Sequence, residues 1–580
     1  MSYGSQILFP VSSLKDEENG ITKSATGNNK SKYISSKWEE ELMNLSRLAG
    51  YIRDHGIRGS VVLTADRILG RKRQEVSYDQ WLSRNRPSSA DYLRMEENCP
   101  ADIPMIGVSA CMPPADRSAF FQSLNMQVYR GFRALKNCPE AAYILLAAGP
   151  CTLRPELLWE CASLVGKFPA EKTGLIYFDS DTIGADGRKC RPAFRPDFDP
   201  ELLERVNYMG SVVLVRADLA CTKGLPSRGE DEFHRFLKRV CLQAGESGGV
   251  RQSVPVAHIP KILYHCAETS LCDQVIEDDS GKDRGPEPLI SVLIPNRDHG
   301  EDLERCVESL LTVNTWNNLE ILILENNSEE EETDALYRKL QERDGRIRVL
   351  KWDGPFNYSA INNFGALHAG GEYLLLLNND TKVLEPESIA RMQRLASLPE
   401  TGAVGALLYY PDMSVQHAGI ILGHGGIAGH AWEGERPMEN ADPFRKLVFS
   451  HTHNVSAVTG ACMMVRKSVW NPAGGMDETL EVTFNDVDLC LRLRREGLRV
   501  LLCPGARLIH YESASRGSED TPEKVERFHS EIRTFVHRWE DELEKGDPFY
   551  NPNLTLTGRS WTCRDDLRET AKPYRDYLNL

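Results

Sequence analysis

The stretch YLLLLNNDT, residues 373–381, carries an unbroken apolar run into two amides and a carboxylate. A short continuous apolar run reads as a fully buried strand. Its end at Asn378, Asn379 and Asp380 has two readings. Asn and Asp form turns. In parallel α/β sheets, however, ligands bind just beyond the carboxyl ends of the strands. The surrounding sequence bears on the choice.

Upstream, LISVLIP (289–295), LEILILE (319–325) and IRVLKW (347–352) are three further strand-like runs. Helical patterns alternate with them. Leu303, Cys306, Val307, Leu310 and Leu311 share one face, and TDALYRKLQER (333–343) is a charged helical stretch. SAINNFGALHAGG (359–371) reads as a helix with Ser359 as N-cap and Gly370 or Gly371 as stop. Strand–helix alternation with short joins predicts a mostly parallel, doubly wound sheet. Asp380 then lies at the ligand-facing end of its strand. Further on, VGALLYYPD (404–412), SAVTGACMMVR (456–466) and LRVLLCP (498–504) read as strands, and FNDVDLCLRLRREG (484–497) as a helix stopped by Gly497.

A chain of 580 residues predicts two or three domains. Hydrophobic content of 41% and charged content of 26% are those of a soluble globular protein. The net charge of −15 argues against a nucleic-acid partner but leaves room for a small anionic ligand held by a local field. No segment reaches the roughly 20 apolar residues of a membrane span. The opening residues lack the pattern of a secretory signal, so the expected location is cytoplasmic. Fifteen cysteines without a CxxC pair predict reduced thiols rather than disulfides or structural zinc. Residues 15–33 read as a polar, mobile segment, 36–54 as a helix and 277–288 as a linker.

Three groups carry candidate chemistry: Asn378-Asn379-Asp380, then Asp486 with Asp488, then His510. Hard divalent cations prefer oxygen ligands, and Mn²⁺ also accepts imidazole. One carboxylate and one histidine from separate strand ends would leave positions for a substrate diphosphate. A carboxylate at a helix start would suit a general base. Spacing alone leaves the bland alternatives in front: a turn aspartate, a helix-capping aspartate and a structural histidine. His417, His424, His430, His451 and His453 form a histidine-rich stretch whose Gly-rich part, GHGGIAGH (423–430), suits a mobile loop over the acceptor side, and a second metal site is the lesser reading.

The ordered series PLISVLIPNRD, LEILILENNS, DGPFNYSAINNFGALHAGGEYLLLLNNDT, GAVGALLYYPDMSVQHAGIILG, NVSAVTGACMMVRKSVW, FNDVDLCLRLRREG and HYESASRG resembles bacterial glycosyltransferase family 2, with its GT-A fold, over about 288–555. The resemblance implies an inverting enzyme that moves a hexosyl or deoxyhexosyl group from a nucleotide-diphosphate sugar to a hydroxyl. Surface-polysaccharide or lipid-linked glycan synthesis is the implied setting. It places Pro295 and Glu325 beside the nucleotide, Asp353, Asn357 and Asn362 along the nucleotide and ribose, and Asn379 among the donor contacts. Asp380 and His510 would bind Mn²⁺ or Mg²⁺, and Asp486 would deprotonate the acceptor. Peripheral association with membrane-bound assembly machinery fits the same picture. The chain departs from the pattern in two ways. Asn378 and Asn379 stand where the family often has carboxylates, which implies weaker metal binding. Glu325 stands where Asp is usual, which bears on the nucleotide.

Laid against this half, the first half shows a repeat. YILLAAGPCTLRPELL (143–158) follows YLLLLNNDTKVLEPESI, and setting Pro155 on Pro386 puts Ala147, Ala148 and Gly149 on Asn378, Asn379 and Asp380. Asp231 falls at the base position and His265 at that of His510. The acidic triplet Asp179-Ser180-Asp181 lies away from the aligned strand end. The expected fold is two tandem, Rossmann-like GT-A domains, the first degenerate. The expected organisation is a polar and helical region over 1–80, the degenerate domain over 81–268, a linker over 269–287, the catalytic domain over 288–515 and a helical extension over 516–580. Two other classes remain open at this stage: a non-catalytic glycan-binding scaffold, and a nucleotidyltransferase.

Overall fold

The computed structural model describes residues 76–580 except 100–104, 138–139, 168–172, 185, 227–228, 245–249, 267–286, 437–442, 513–520, 566–571 and 578–580. The expected polar segment at 15–33, the helix at 36–54 and all but the last residues of the linker at 277–288 lie outside the described residues.

Among the described residues two large mixed sheets carry the fold. The first contains β1 (Ile106–Ala110), β2 (Phe132–Ala134), β3 (Tyr143–Ala147), β4 (Cys151–Leu153), β5 (Leu175–Ile183), β6 (Val212–Arg216) and β7 (Val256–Cys266), in the order β2-β1-β3-β6-β5-β7-β4. The second contains β8 (Ile290–Asn296), β9 (Leu319–Glu325), β10 (Ile347–Lys351), β11 (Tyr373–Leu377), β12 (Thr381–Val383), β13 (Thr401–Tyr409), β14 (Cys462–Arg466) and β15 (Arg499–His510). Its order is β10-β9-β8-β11-β14-β13-β15-β12. The two orders coincide strand for strand once β10, an edge strand, is set aside. The directions coincide as well: β14 and β12 run antiparallel to their neighbours, and so do β6 and β4. Residues 106–510 are therefore two tandem copies of one α/β fold.

Register makes the repeat quantitative. Tyr143 faces Arg216 and Ala147 faces Val212. In the second copy Tyr373 faces Arg466 and Leu377 faces Cys462. Asn378, Asn379 and Asp380 thus correspond to Ala148, Gly149 and Pro150, one residue along from the alignment on Pro155. Likewise Cys266 faces Cys151 where His510 faces Thr381. Cys266, and not His265, takes the place of His510. A slip of one residue turns a strand side chain to the opposite face of the sheet.

The apolar runs are continuous because both faces of the sheet are covered. Leu293, Leu322, Leu374 and Leu376 enter one core cluster, and Val292, Ile294, Ile323 and Leu375 enter another on the other side. Helix Tyr358–His368 covers one face, and its N-cap is Asn357, whose Oδ1 accepts from Ala360 N at 2.9 Å. Ser359, the expected cap, instead donates to the Leu480 carbonyl at 2.6 Å. The strand expected at 498–504 continues to His510, with an irregularity in its pairing between Ala406 and Leu407.

The copies pack directly on each other. Asp199 accepts from Asn454 N at 2.8 Å and from its Nδ2 at 2.6 Å, and Arg499 pairs with Glu201 at 2.5 Å. The C-terminal segment straps them together: Asn551 Nδ2 donates to Asp179 Oδ2 at 2.8 Å, and Asn553 Nδ2 donates to the Pro260 carbonyl at 2.8 Å. The acidic triplet belongs to this framework. Asp179 and Asp181 are fully buried. Asp179 also accepts from Arg195 N at 2.9 Å, and Asp181 accepts from Tyr78 OH at 2.6 Å and pairs with His265.

Candidate active site

A cleft of about 830 Å³ opens above the carboxyl ends of β8, β11 and β15. Pro295, Asn379, Asp380, Asp486 and His510, all nominated from sequence, line it. Their meeting has a simple backbone cause. After β11 the chain turns into β12, which pairs antiparallel with β15 so that Thr381 faces His510. Asp380, next in line, is thereby set beside the imidazole: Asp380 Oδ1 lies 3.0 Å from His510 Nε2. His510 Nδ1 is 2.7 Å from Gln416 Oε1, an acceptor, so the ring carries its proton on Nδ1 and turns the Nε2 lone pair toward Asp380. Asn378 Nδ2 approaches the same Nε2 at 3.2 Å, and Asn379 Nδ2 donates to Asn296 Oδ1 at 2.7 Å.

Asp486 and Asp488 are two residues apart and have opposite surroundings. Phe484, in the left-handed region at φ 60°, turns the chain into helix Asn485–Arg495. Asp486 lines the cleft, its Oδ2 accepting from Gly460 N at 2.9 Å and its Oδ1 from Val487 N at 2.8 Å. Asp488 is fully buried, accepting from Arg492 Nε at 2.8 Å, Arg538 Nη1 at 2.7 Å and Trp539 Nε1 at 2.9 Å. It ties this helix to the C-terminal helix Pro522–Lys545.

Four nominated residues do not line the cleft. Glu325 is buried, with Ser328 N and Oγ donating to it at 2.7 Å each and Tyr337 OH at 2.5 Å. Asp353 is solvent-exposed, 3.7 Å from Lys351 Nζ. Asn357 is spent on its cap and on the Glu478 carbonyl, 2.9 Å away. Asn362 is buried and donates to the Tyr358 carbonyl at 2.8 Å.

A family model for glycosyl transferase family 2 matches residues 291–471. Those residues are a family 2 glycosyltransferase domain. The O-antigen biosynthesis protein RfbC of Myxococcus xanthus is 34% identical over 445 residues, 70% of this chain and 33% of that protein. The N-acetylglucosaminyl-diphospho-decaprenol L-rhamnosyltransferase of Mycobacterium tuberculosis is 28% identical over 239 residues, 38% of this chain and 75% of that one. Among solved structures, a mannosyltransferase of Pyrobaculum calidifontis in complex with GDP-Man and Mn²⁺ has a TM-score of 0.33 at 14% identity, covering 47% of this chain and 69% of the other. The chain spans between a third and about half of the length of the two relatives that it matches over most of its own residues.

The cleft also contains residues that sequence reasoning passed over: Arg297, Asn326, Gln416, Glu433, Lys524 and Arg527. Lys524 and Arg527, spaced one helical turn apart early in the C-terminal helix, had a legible signal, but nothing local joined that helix to this site. The glycine-rich part of the histidine-rich run, residues 423–430, expected as a mobile loop, lies in a short hairpin of Ile420–Leu422 with Ala428–His430, and His417, His451 and His453 lie outside it. The C-terminal tail fastens it: Leu422 N donates to Asp547 Oδ2 at 2.7 Å, Gly425 N to the Leu556 carbonyl at 2.9 Å, and Trp561 stacks on Trp432 at 4.2 Å. His417 is fully buried behind this wall, its Nδ1 3.2 Å from that of His430. Burial first, then neighbouring His430 and His510, push its imidazole well below the usual histidine range. Among the described residues no group of three or more His, Cys, Asp or Glu forms a metal cage. Among the same residues no helix is long and apolar enough to cross a membrane.

Proposed function

We propose that the second copy transfers a sugar from a nucleotide-diphosphate donor to a hydroxyl of a glycan or lipid-linked glycan, in one displacement with inversion at the anomeric carbon. The observation that carries this reading is the Asp380–His510 pair, 3.0 Å apart, in the same cleft as Asp486. A carboxylate oxygen and an imidazole lone pair that face each other suit a cation or a proton between them. Two protein ligands form an open site, with the remaining positions left to substrate oxygens and water. Mn²⁺ or Mg²⁺ bound there would offset the negative charge of the departing diphosphate.

The chain's own residues do the rest. Gln416 fixes the His510 tautomer, and hydrogen bonding of this kind orients metal-ligating histidines. Gly460 N–H holds the Asp486 carboxylate in place. As the acceptor oxygen bonds to the anomeric carbon, the carbon–oxygen bond to the diphosphate breaks and its electron pair leaves with the diphosphate. Asp486 takes the acceptor proton. Asn379 and Pro295, which line the cleft, would contact the donor. The names of the two relatives, O-antigen biosynthesis and transfer to a diphospho-decaprenol-linked sugar, favour a cell-surface glycan as product.

We further propose that the first copy does not transfer sugar. Pro150 stands at the position of Asp380 and Cys266 at that of His510, so the cation site is missing. Asp231 is the second residue of helix Glu230–Cys241, as Asp486 is of helix Asn485–Arg495, but without that cation site it would have no donor to serve.

The test is a thermal-shift screen of nucleotide sugars with and without Mn²⁺, followed by a transfer assay. A ligand at about 100 times its Kd stabilises the native state by about 2.7 kcal/mol. Stabilisation by at least one nucleotide sugar that needs Mn²⁺ and vanishes in Asp380→Ala is the expected result. If no nucleotide sugar stabilises the chain with the metal present, the reading is wrong.

A further inference from the structure

His430 lines the cleft, yet the reaction above gives it no part. Its ring is half-buried and is held along one edge. His430 Nδ1 lies 3.1 Å from the Gln416 carbonyl oxygen and 3.2 Å from His417 Nδ1. The two imidazoles meet edge to face, with centroids 4.9 Å apart. Nδ1 is thus turned to the wall, which leaves Nε2, on the other edge of the ring, for the cleft. Among the described residues His430 Nε2 has no hydrogen-bond partner.

The backbone sets the ring in place. His430 ends its hairpin strand paired with Ile420, and Ala431 N donates to the Gly419 carbonyl at 2.9 Å. Gly419 has φ 96°, and a Cβ there would meet Val455 Cγ1 at 2.7 Å, so only glycine lets the chain enter the hairpin this close to the wall. Gln416 ties the ring to the cation pair: its main-chain oxygen faces His430, and its Oε1 faces His510 Nδ1. His417 ties it to the base. His417 Nε2 lies 3.4 Å from Thr459 N, one residue before Gly460, whose N–H holds Asp486. His430 therefore has the diphosphate end of the reaction on one side and the acceptor end on the other. The sugar in transit occupies that interval.

Both neutral tautomers of His430 leave a use for Nε2. With Nδ1–H donated to the Gln416 carbonyl, Nε2 presents a lone pair. With His417 donating to Nδ1, Nε2 presents an N–H. A hydroxyl both donates and accepts and so satisfies either, whereas a carboxylate or phosphate oxygen satisfies only the second. We infer that His430 Nε2 hydrogen-bonds a hydroxyl of the sugar being transferred and helps to select that sugar. This rests on the proposed transfer reaction, and it separates recognition of the sugar from recognition of the nucleotide diphosphate.

The experiment uses calorimetry on the full chain with Mn²⁺. UDP-glucose, UDP-galactose, UDP-N-acetylglucosamine, GDP-mannose and dTDP-L-rhamnose are each compared with their own nucleoside diphosphate, and the tightest sugar nucleotide is carried forward. In His430→Phe and His430→Ala its affinity should fall about fivefold, the worth of one neutral hydrogen bond, while that of the nucleoside diphosphate stays as in wild type. His430→Gln, whose amide both donates and accepts, should recover part of the loss. Thermal midpoints of the ligand-free variants identify those that are folded, and any one folded variant without a polar group at 430 suffices. Unchanged sugar-nucleotide affinity in such a variant would overturn the inference. So would an equal loss for the nucleoside diphosphate, which would make His430 a support of the cation pair through Gln416. Equal losses in His430→Gln and His430→Phe would overturn the hydrogen bond in favour of packing. If wild type binds neither nucleoside diphosphates nor sugar nucleotides, the transfer reading falls and this inference with it. If wild type binds both and the variants do not distinguish them, only this inference falls.

Discussion

Asp486 and Asp488 provide the sharpest test, because one substitution at each should have opposite consequences. Asp488→Asn conserves volume, and its Oδ1 can still accept from Arg538 and Trp539. Its new amide N–H group, however, faces Arg492 Nε, a donor that now meets a donor across 2.8 Å. Removing one partner of a buried ion pair costs about 3–5 kcal/mol. Here the two arginine side chains are 26% and 32% exposed and hold other partners: Arg492 donates to the Ala473 and Gly475 carbonyls, and Arg538 pairs with Asp477 at 2.6 Å. The expected loss is therefore smaller, about 2–4 kcal/mol. Asp486→Asn loses no buried charge partner and should cost about 1 kcal/mol or less, the worth of one weakened hydrogen bond. Transfer should fall by about 10²-fold or more in Asp486→Asn, because an amide cannot take the acceptor proton. Asp488→Asn should keep its turnover per folded molecule. Urea unfolding and transfer rates, measured on both proteins, decide the matter. A stable Asp488→Asn beside an unstable but active Asp486→Asn would refute the assignment of roles.

Three other outcomes follow from the same geometry. Asn551→Ala leaves the fully buried Asp179 short of a donor and should destabilise the chain by about 2–3 kcal/mol, with nucleotide affinity at the cleft unchanged; unaltered urea stability would show that the C-terminal strap carries no load. A protein bearing Asp380→Ala and Asp486→Asn should have no residual metal-dependent turnover, whereas Asp231→Asn should keep full activity; turnover by the former would restore the first copy as an enzyme. Burial, followed by nearby Arg205 and His453, lowers His451 to about 4, and burial also lowers His417 and His453. These rings stay neutral in the native state while the unfolded chain takes up protons below about pH 6.5. Their stabilisation is present above that pH and is lost as pH falls below it, for His451 as pH approaches about 4. His258 opposes them. Burial disfavours its charge, but Asp179 and Asp197 outweigh that and raise it, so its contribution is present below about pH 6.5 and lost as pH rises through its folded value. The three lowered histidines should prevail, so the urea midpoint should be lower at pH 5 than at pH 7, and less so in His451→Gln; a higher midpoint at pH 5 would contradict the neutral assignment.

Much of the second copy was legible because its signals are local. The apolar runs of β8, β9 and β11 and the helix at Asn485–Arg495 declare themselves through periodicity and end residues. The tandem repeat was legible too, but its register was not. Pro155 and Pro386 look equivalent in sequence, while the pairing of Tyr143 with Arg216 and Tyr373 with Arg466 sets the alignment one residue away. That residue matters, since it moves Pro150 onto Asp380 and takes His265 away from His510.

By itself, then, the sequence determined which residues could carry the chemistry: the Asp at a strand end, the Asp pair at a helix start and the lone His near the end of a strand. It could not say which of them meet. Asp380 and His510 come together only through the antiparallel pairing of Thr381 with His510, a long-range contact set by sheet order. Asp486 and Asp488 part company only because Arg538 and Trp539, on a distant helix, claim one of them. Glu325 is withdrawn from the cleft by nearby Ser328 and by Tyr337, whose side chain reaches it only once the helix at Glu331–Arg343 has packed. Strand and helix propensity are read within a few residues. The partner of a polar side chain is chosen by burial, which makes an unpaired group costly and leaves packing to decide what satisfies it.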